Sequence, residues 1–528
     1  MIKADPIRLE VFKHLFASVA EEMGMVLRRT GYSPNIKERR DYSCAIFDEK
    51  GRMIAQAAHI PVHLGSMPLS VAAGIEAFDF SPGDVVILND PYKGGTHLPD
   101  ITLITPVFID HEGEQDLLGF TANRAHHSDV GGMTPGSMPL SNELYQEGII
   151  IPPLKLVERG VVNQALLDLV LANVRTSGER EGDIRAQIAA NQRGVSRMRE
   201  LVNRYGRQQV EAYMGWLLEY AERMTRRLIA GIPDGTYRYQ DFMDDDGLDP
   251  ESAKIVVEIN IRGDEAIIDF TGTSAQRRGS INAVYAITLS ATQYVFRTLI
   301  GMDIPSNSGC LAPIKVFAPE GSLVNARSPA AVAGGNVETS QRIVDVLLGA
   351  LAQACPERVP AASQGTMNNI TIGGWDSERD RPFAYYETVG GGMGACPGMD
   401  GTDAIHTHMT NTMNTPIEAL EYAYPFQVRR YEIRRGSGGE GKFRGGNGIL
   451  REIRFMEKSR VTILSDRRRF APYGLAGGEP GLSGKNILIK DGEEIELPGK
   501  VSCEVEAGDV ISIQTPGGGG FGDKRNRS

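Results

Sequence analysis

Six of the nine histidines in this 528-residue chain fall between positions 59 and 127: His59, His63, His97, His111, His126 and His127. Carboxylates recur beside them. In THLPDITL, His97 and Asp100 stand three residues apart, and in NRAHHSDVGG the pair His126-His127 precedes Asp129. Upstream, ERRDYSCAIFD adds Asp41 and Asp48. Imidazole nitrogen plus carboxylate oxygen is the donor set that suits borderline divalent metals such as Zn, Mn or Fe. A His and an Asp held near one turn, joined by a His from a neighbouring strand, is a normal way to assemble such a site. A single histidine is more often a hydrogen-bonded core residue, but repeated His–Asp spacing followed by Gly-Gly points to metal binding or catalysis.

A second polar set lies in DAIHTHMTNTMNTPIEALE, with His406, His408, Asn411, Asn414 and Glu418. Residues two apart on a strand share a face, so His406 and His408 would converge there. Substrate contact or a subunit interface competes with ordinary loop bonding for this segment. Other chemistries find less support. Lys442, Lys485 and Lys500 each follow Gly but precede Phe, Asn and Val, so no GxxxxGK[ST] phosphate loop is present. The GGGG at 517–520 is followed by a short charged tail and not by a helix, which makes it a poor phosphate cradle. No GxSxG elbow occurs. Cys396, in GGMGACPG, has no assignable base and reads as a structural thiol.

The elements that must position these residues show in the hydrophobic periodicity. Val11, Phe12, Leu15, Phe16, Val19, Met23 and Val26 recur at helical spacing across 8–30. From Asp41 to about Val130 the pattern is β-like, with DVVILND, ITLITPVFI and LLGFTANR bounded by Gly, Pro and Asp. Residues 161–230 read as helix. IVVEINIRGDEAIIDFTG (255–272) reads as a hairpin turning at Arg262-Gly263-Asp264, and helices are expected again at 283–301 and 338–353. The last hundred residues are β-rich. The acid run Asp244–Asp246 reads as a solvated loop, because no spaced oxygen-ligand pattern follows it. The 61 glycines cluster near 131 and 390, at 436–448 and at 516–520, which suggests tight loops around sites. The expected fold class is α+β and multi-domain: an N-terminal metal-site region (1–240) with a helical segment at 161–230, a central α/β region (241–430) and a β-rich C-terminal region (431–528).

Composition narrows the function classes. Hydrophobic residues at 41% and charged residues at 23% are ordinary for a globular protein. A net charge of -11 argues against nucleic-acid and anionic-membrane partners, which want a basic face. Cys44, Cys310, Cys355, Cys396 and Cys503 are widely spaced and form no CxxC pair, so reduced thiols are expected. MIKADPIRLE has no apolar stretch behind its charge, and no run approaches the roughly 20 apolar residues of a membrane span. A cytoplasmic protein is expected.

Taken together, ERRDYSCAIFD, AHIPVHLGSMP, NDPYKGGTHLPDITL, HHSDVGG, NVRTSGEREGDIRAQIAA, GTMNNITIGG, HTHMTNTMNTPIEALE, YPFQVRRYEIRRGSGGEGKFRGGNG and TPGGGGFGD resemble the hydantoinase B/oxoprolinase family across nearly the whole chain. The resemblance implies one subunit of an ATP-dependent cyclic amide or imide hydrolase. Its partner would be a hydantoinase A-type ATPase subunit that phosphorylates a carbonyl oxygen and uses the ATP. Ketone carboxylases of the acetone and acetophenone type belong to the same family, so a ketone substrate is the alternative, and a non-catalytic scaffold subunit is the other. The resemblance also implies a divalent transition metal held by Asp41, His97, Asp100 and His126, with His127 as the competing ligand to His126. It leaves proton movement to His127 or Asp129, and substrate contact to His63, His406 and His408.

Overall fold

Asp5 opens the chain's first helix by accepting a hydrogen bond from the Ile7 amide, with Pro6 at the first helical position, where its missing N–H costs nothing. The computed structural model describes residues 5–57, 59–111, 113–301 and 304–526. Helix α1 (Pro6–Thr30) buries Phe12, Phe16, Val19, Met23 and Leu27 along one face, and leaves Val11 exposed. After the single turn α2 (Pro34–Lys37), the chain enters an antiparallel sheet. Its strands are β1 (Tyr42–Asp48), β2 (Met53–Gln56), β3 (Val85–Leu88), β4 (Asp100–His111), β5 (Glu114–His126), β6 (Leu154–Glu158) and β7 (Val161–Val162). They run in the order β2-β1-β5-β4-β3-β6-β7. α3 (Met67–Ala77) interrupts the stretch that reads as β in the sequence, because its Ala-rich, short apolar pattern has no clear period.

The sheet's register builds the site. β4 and β5 form one long hairpin whose pairing places Asp100 directly opposite His126. On the other side of β5, β1 pairs Tyr42 with Ala125, and the Asp41 carbonyl accepts from the His126 amide at 2.9 Å. β4 and β5 therefore carry Asp100 and His126 at one end, where Asp41 immediately precedes β1. The expected helical stretch 161–230 is three helices, α4 (Gln164–Ala172), α5 (Ser177–Tyr205) and α6 (Arg207–Ile229), broken at residues 173–176 and at Gly206. α5 lies across β4 and β5 and packs against both α1 and α6, which also meet each other where Phe12 stacks on Tyr213 at 4.3 Å.

Beyond the first sheet, Ala253–Arg262 and Glu265–Asp269 form the expected hairpin within a four-stranded sheet. Tyr285–Ile300 and Ser340–Leu351 are the expected helices, the latter opening with a π-helical turn at Gly335–Thr339. Two further antiparallel sheets, of four and five strands, take in 369–388 and most of 426–514. The fold is α+β.

Two sequence expectations need amendment. The acid run is buried: Asp244 is 1% and Asp246 2% exposed. Asp244 accepts from the amides of Arg468 and Phe470, Asp246 accepts from those of Leu248, Asp249 and Gly279, and Asp245 lies 3.6 Å from Lys500. Three adjacent negative charges look solvated until distant cations and amides are folded onto them. The glycine clusters, for their part, pack on one another. Gly446 donates to Met393, Gly518 to Gly446 and Gly439 to Gly518. A β-carbon on Gly446 would sit 2.0 Å from the Thr402 carbonyl oxygen, and one on Gly518 2.1 Å from that of Met393. Backbone meets backbone there, at a spacing only glycine permits.

Candidate metal centre

His97, Asp100 and His126 are all buried, and each offers a ligand atom within 4.8 Å of the other two. His97 Nε2, His126 Nδ1 and Asp100 Oδ1 stand 3.2 Å from one another in all three pairs. The turn before β4 supplies His97, the first residue of β4 supplies Asp100, and the last residue of β5 supplies His126. Around them, Thr96 donates to Asp100 Oδ2 at 2.5 Å and His63 Nε2 lies 3.4 Å from the same oxygen. Ser43 Oγ holds the other nitrogen of His63 at 2.8 Å. Asn336, from the π-helical turn, donates to His97 Nε2 at 3.0 Å, and Tyr386 stacks on the His126 ring at 4.5 Å.

The donor set fits a borderline divalent metal. The Ala333 carbonyl, 3.4 Å from His97 Nδ1, fixes the proton on that nitrogen and leaves Nε2 a lone pair aimed at the cluster. Bonds of about 2.1 Å to one ion place neighbouring ligand atoms about 3.0 Å apart in an octahedron and about 3.4 Å apart in a tetrahedron. The observed 3.2 Å edges lie between these values. Two nitrogens and one oxygen disfavour Ca and Mg, which prefer oxygen shells.

Electrostatics bind the cluster together. Burial pushes the Asp100 carboxyl up, but the imidazoles of His97, His63 and His126 outweigh it and hold the group well below its ordinary range. Burial disfavours a charged His97, yet Asp100 lifts it above its usual value; at His126 burial prevails and the value falls. Two buried carboxylates nearby are raised chiefly by burial, Glu147 to about 7 and Glu338 to about 8. Glu147 accepts from the amides of Val332 and Ala333, the residue whose carbonyl faces His97. Glu338, on the same turn as Asn336, accepts from the Met367 amide and the Asn369 side chain.

The remaining expected site residues distribute unevenly. Asp41 is adjacent in the sheet but does not join the mutually close group, and its carboxylate lies 3.7 Å from Arg39. His127 turns to α5, where its Nε2 meets Gln187 at 2.9 Å, and burial lowers it to about 4. Asp129 is occupied by the amides of Gly131, Gly136 and Arg175 and by the Arg175 guanidinium. In that position Asp129 holds the loop of residues 129–136 to Arg175. Asp48 likewise closes the β1–β2 turn with Arg52. His406 and His408 lie on no strand: residues 404–416 are irregular, with left-handed backbone at Ala404 and His408. That loop runs between Val62, which donates to Met409, and Arg39, which accepts from Met413. His408 Nδ1 meets the Tyr294 hydroxyl at 3.3 Å, while its Nε2 and that of His126 are buried with no hydrogen-bond partner among the described residues. His406 is lowered to about 4 by burial and by the Arg39 cation. Cys396 is a free thiol that burial pushes up, away from a ready thiolate.

Comparison with known proteins follows the same lines. The hydantoinase B/oxoprolinase family matches residues 5–524. 5-oxoprolinase 1 of Arabidopsis thaliana is 44% identical over 98% of this chain, which spans 42% of that protein's length. A polypeptide of a Pseudomonas species, named as one component of a D-/L-hydantoinase, is 34% identical, with 99% of this chain and 91% of that one covered. The crystal structure of an ATP-dependent caprolactamase from Pseudomonas jessenii superposes with a TM-score of 0.90 at 32% identity, covering 100% of this chain and 93% of that chain.

Proposed function

Because the chain belongs to the hydantoinase B/oxoprolinase family, we propose that it is the metal-carrying subunit of an ATP-dependent cyclic amide hydrolase. It would act on a carbonyl that a hydantoinase A-type ATPase partner has phosphorylated. The observation that carries this reading is the convergence of His97, Asp100 and His126 at 3.2 Å in a buried, polar-walled site. Oxoproline, hydantoin and caprolactam, the compounds in the relatives' names, are all ring amides. Such carbonyls resist water because of resonance, and phosphorylation turns the oxygen into a leaving group.

Zn, Mn or Fe bound by these three side chains would supply Lewis acidity and a water of lowered pKa for attack at the activated carbon. The chain's own residues do the rest. Ala333 and Asn336 orient the His97 ring, and Thr96 and His63 fix the second oxygen of Asp100. His63 holds a proton at Nε2 against that oxygen, within the same buried wall. Tyr386 and Arg39 pin His126 from the other side, since the Arg39 guanidinium stacks on the Tyr386 ring at 4.7 Å. The 404–416 loop, with His406 and His408, lies between the His63 turn and Arg39 and is the proposed substrate wall. Asp41 is the neighbour placed to join or orient the ligand set, one strand away from His126.

The test is turnover of 5-oxoproline, hydantoin and caprolactam by this chain, by its ATPase partner and by the co-expressed pair, each with and without ATP. Hydrolysis of at least one compound by the pair with ATP, and by no other combination, is expected. Hydrolysis by this chain alone without ATP would refute the reading in favour of a stand-alone metallohydrolase.

A further inference from the structure

The chain carries a net charge of -11, yet one concavity reverses that sign locally. A cavity of about 520 Å³ at the end of α1 is lined by Arg28, Arg29, Lys37 and Arg40, with Glu38 and Asn414 on its wall. Among the described residues none of the four cations has an ion-pair partner; the one side-chain bond is from Arg28 to the Lys37 carbonyl oxygen, at 3.4 Å. Arg28 and Arg29 end α1, where the helix dipole favours positive charge and accounts for them alone. It does not account for Lys37 and Arg40, which come from a separate segment and face the same space. Glu38 is the single carboxylate there, and burial holds its carboxyl above its ordinary value despite Lys37 and Arg28.

The cavity lies one residue from the metal centre's support. Arg39 is fully buried and reaches Tyr386 and Asp41, whereas its neighbour Arg40, in left-handed backbone, turns outward to the cavity. Asn414 belongs to the loop that carries His406 and His408, and Met413 donates to the Arg39 carbonyl. Wall and site therefore share the same backbone. Three guanidiniums and an ammonium in one concavity match the oxygens of a phosphoryl group, which arginine meets with paired N–H donors.

We propose that this cavity is an anion port that takes the phosphoryl group of a small molecule delivered to the His97–Asp100–His126 site. The identity of that molecule rests on the proposed function, whereas the port's affinity for phosphate does not. The experiment is calorimetric titration of inorganic phosphate into the purified chain, with chloride at matched ionic strength as the control. The same titration is run on Arg28→Gln/Arg40→Gln and on the charge-retaining Arg28→Lys/Arg40→Lys, each checked for an unchanged thermal melt. Saturable binding by the wild type is expected, weakened roughly tenfold or more in the Gln pair and largely retained in the Lys pair. No saturable binding, or equal affinity in the wild type and the Gln pair, would overturn the port. Metal analysis of the same samples separates the two readings. Phosphate binding at these residues in a chain that takes up no metal leaves the port and removes the proposed function; full metal without phosphate binding does the reverse.

Discussion

Glu338→Gln should change how the fold responds to pH. The Glu338 carboxyl is fully buried; burial first, and the Asp466 carboxylate second, push it up to about 8 from an ordinary value of 4.5. Between those two values the folded chain holds a proton that the unfolded chain has released. Folding therefore takes up a proton, and the stability this group contributes is lost as pH rises toward about 8. Each pH unit in that window costs about 1.4 kcal/mol, so a rise from pH 6 to pH 8 removes roughly 2–3 kcal/mol. Gln keeps an oxygen for the Met367 amide and the Asn369 side chain but cannot ionise. An unfolding entropy of about 2.1 cal/mol/K per residue makes 1 kcal/mol worth about 1 °C in a chain of this length. Thermal melts of both proteins at pH 6, 7 and 8 should therefore diverge by roughly 2–3 °C, with the variant gaining on the wild type as pH rises. Parallel curves would refute the claim that Glu338 is held protonated.

Two further perturbations probe the framework around the site. Arg451 and Glu387 form a bidentate ion pair with both side chains 0% exposed, so Arg451→Met should cost about 3–5 kcal/mol by stranding the carboxylate; the thermal melt should fall, and Arg451→Met/Glu387→Met should recover most of the loss. Gly446→Ala should abolish soluble expression because its β-carbon meets a carbonyl at 2.0 Å, whereas Gly215→Ala, in the open on α6, should gain about 0.5–1 kcal/mol and melt slightly higher.

Much of the site is legible locally. The strings THLPDITL and NRAHHSD carry both imidazoles and the carboxylate, and the strong β-pattern between them is the hairpin that sets Asp100 against His126. What sequence cannot supply is long-range convergence. Asn336 reaches His97 from 239 residues away, out of a segment whose only local signal is Gly-Gly before Asn. Tyr386 and Arg39 are further cases, since nothing in either segment announces that one ring will stack on His126 and the other group on that ring. His63, expected against substrate, lies against Asp100, because the turn at Pro61–His63 folds its ring inward beneath the 404–416 loop. Adjacent residues that look alike part company by strand geometry: His126 enters the cluster and His127 faces α5. The acid run is no solvated loop for the related reason that the partners of Asp244 and Asp245, Arg468 and Lys500 among them, lie more than 200 residues on.

The central claim is that His97, Asp100 and His126 hold a catalytic divalent transition metal, and metal content tests it most directly. Elemental analysis of the unsupplemented chain should find about one Zn, Mn or Fe per protomer, and the same measurement on His97→Ala and Asp100→Ala should find almost none. Both variants should melt close to the wild type's metal-free form, because a core this large does not rest on one ion. Asp41→Ala, measured alongside, reports whether that neighbour completes the shell. Sub-stoichiometric metal in the wild type and in both variants alike, with activity of the co-expressed pair untouched by chelators, would contradict the account.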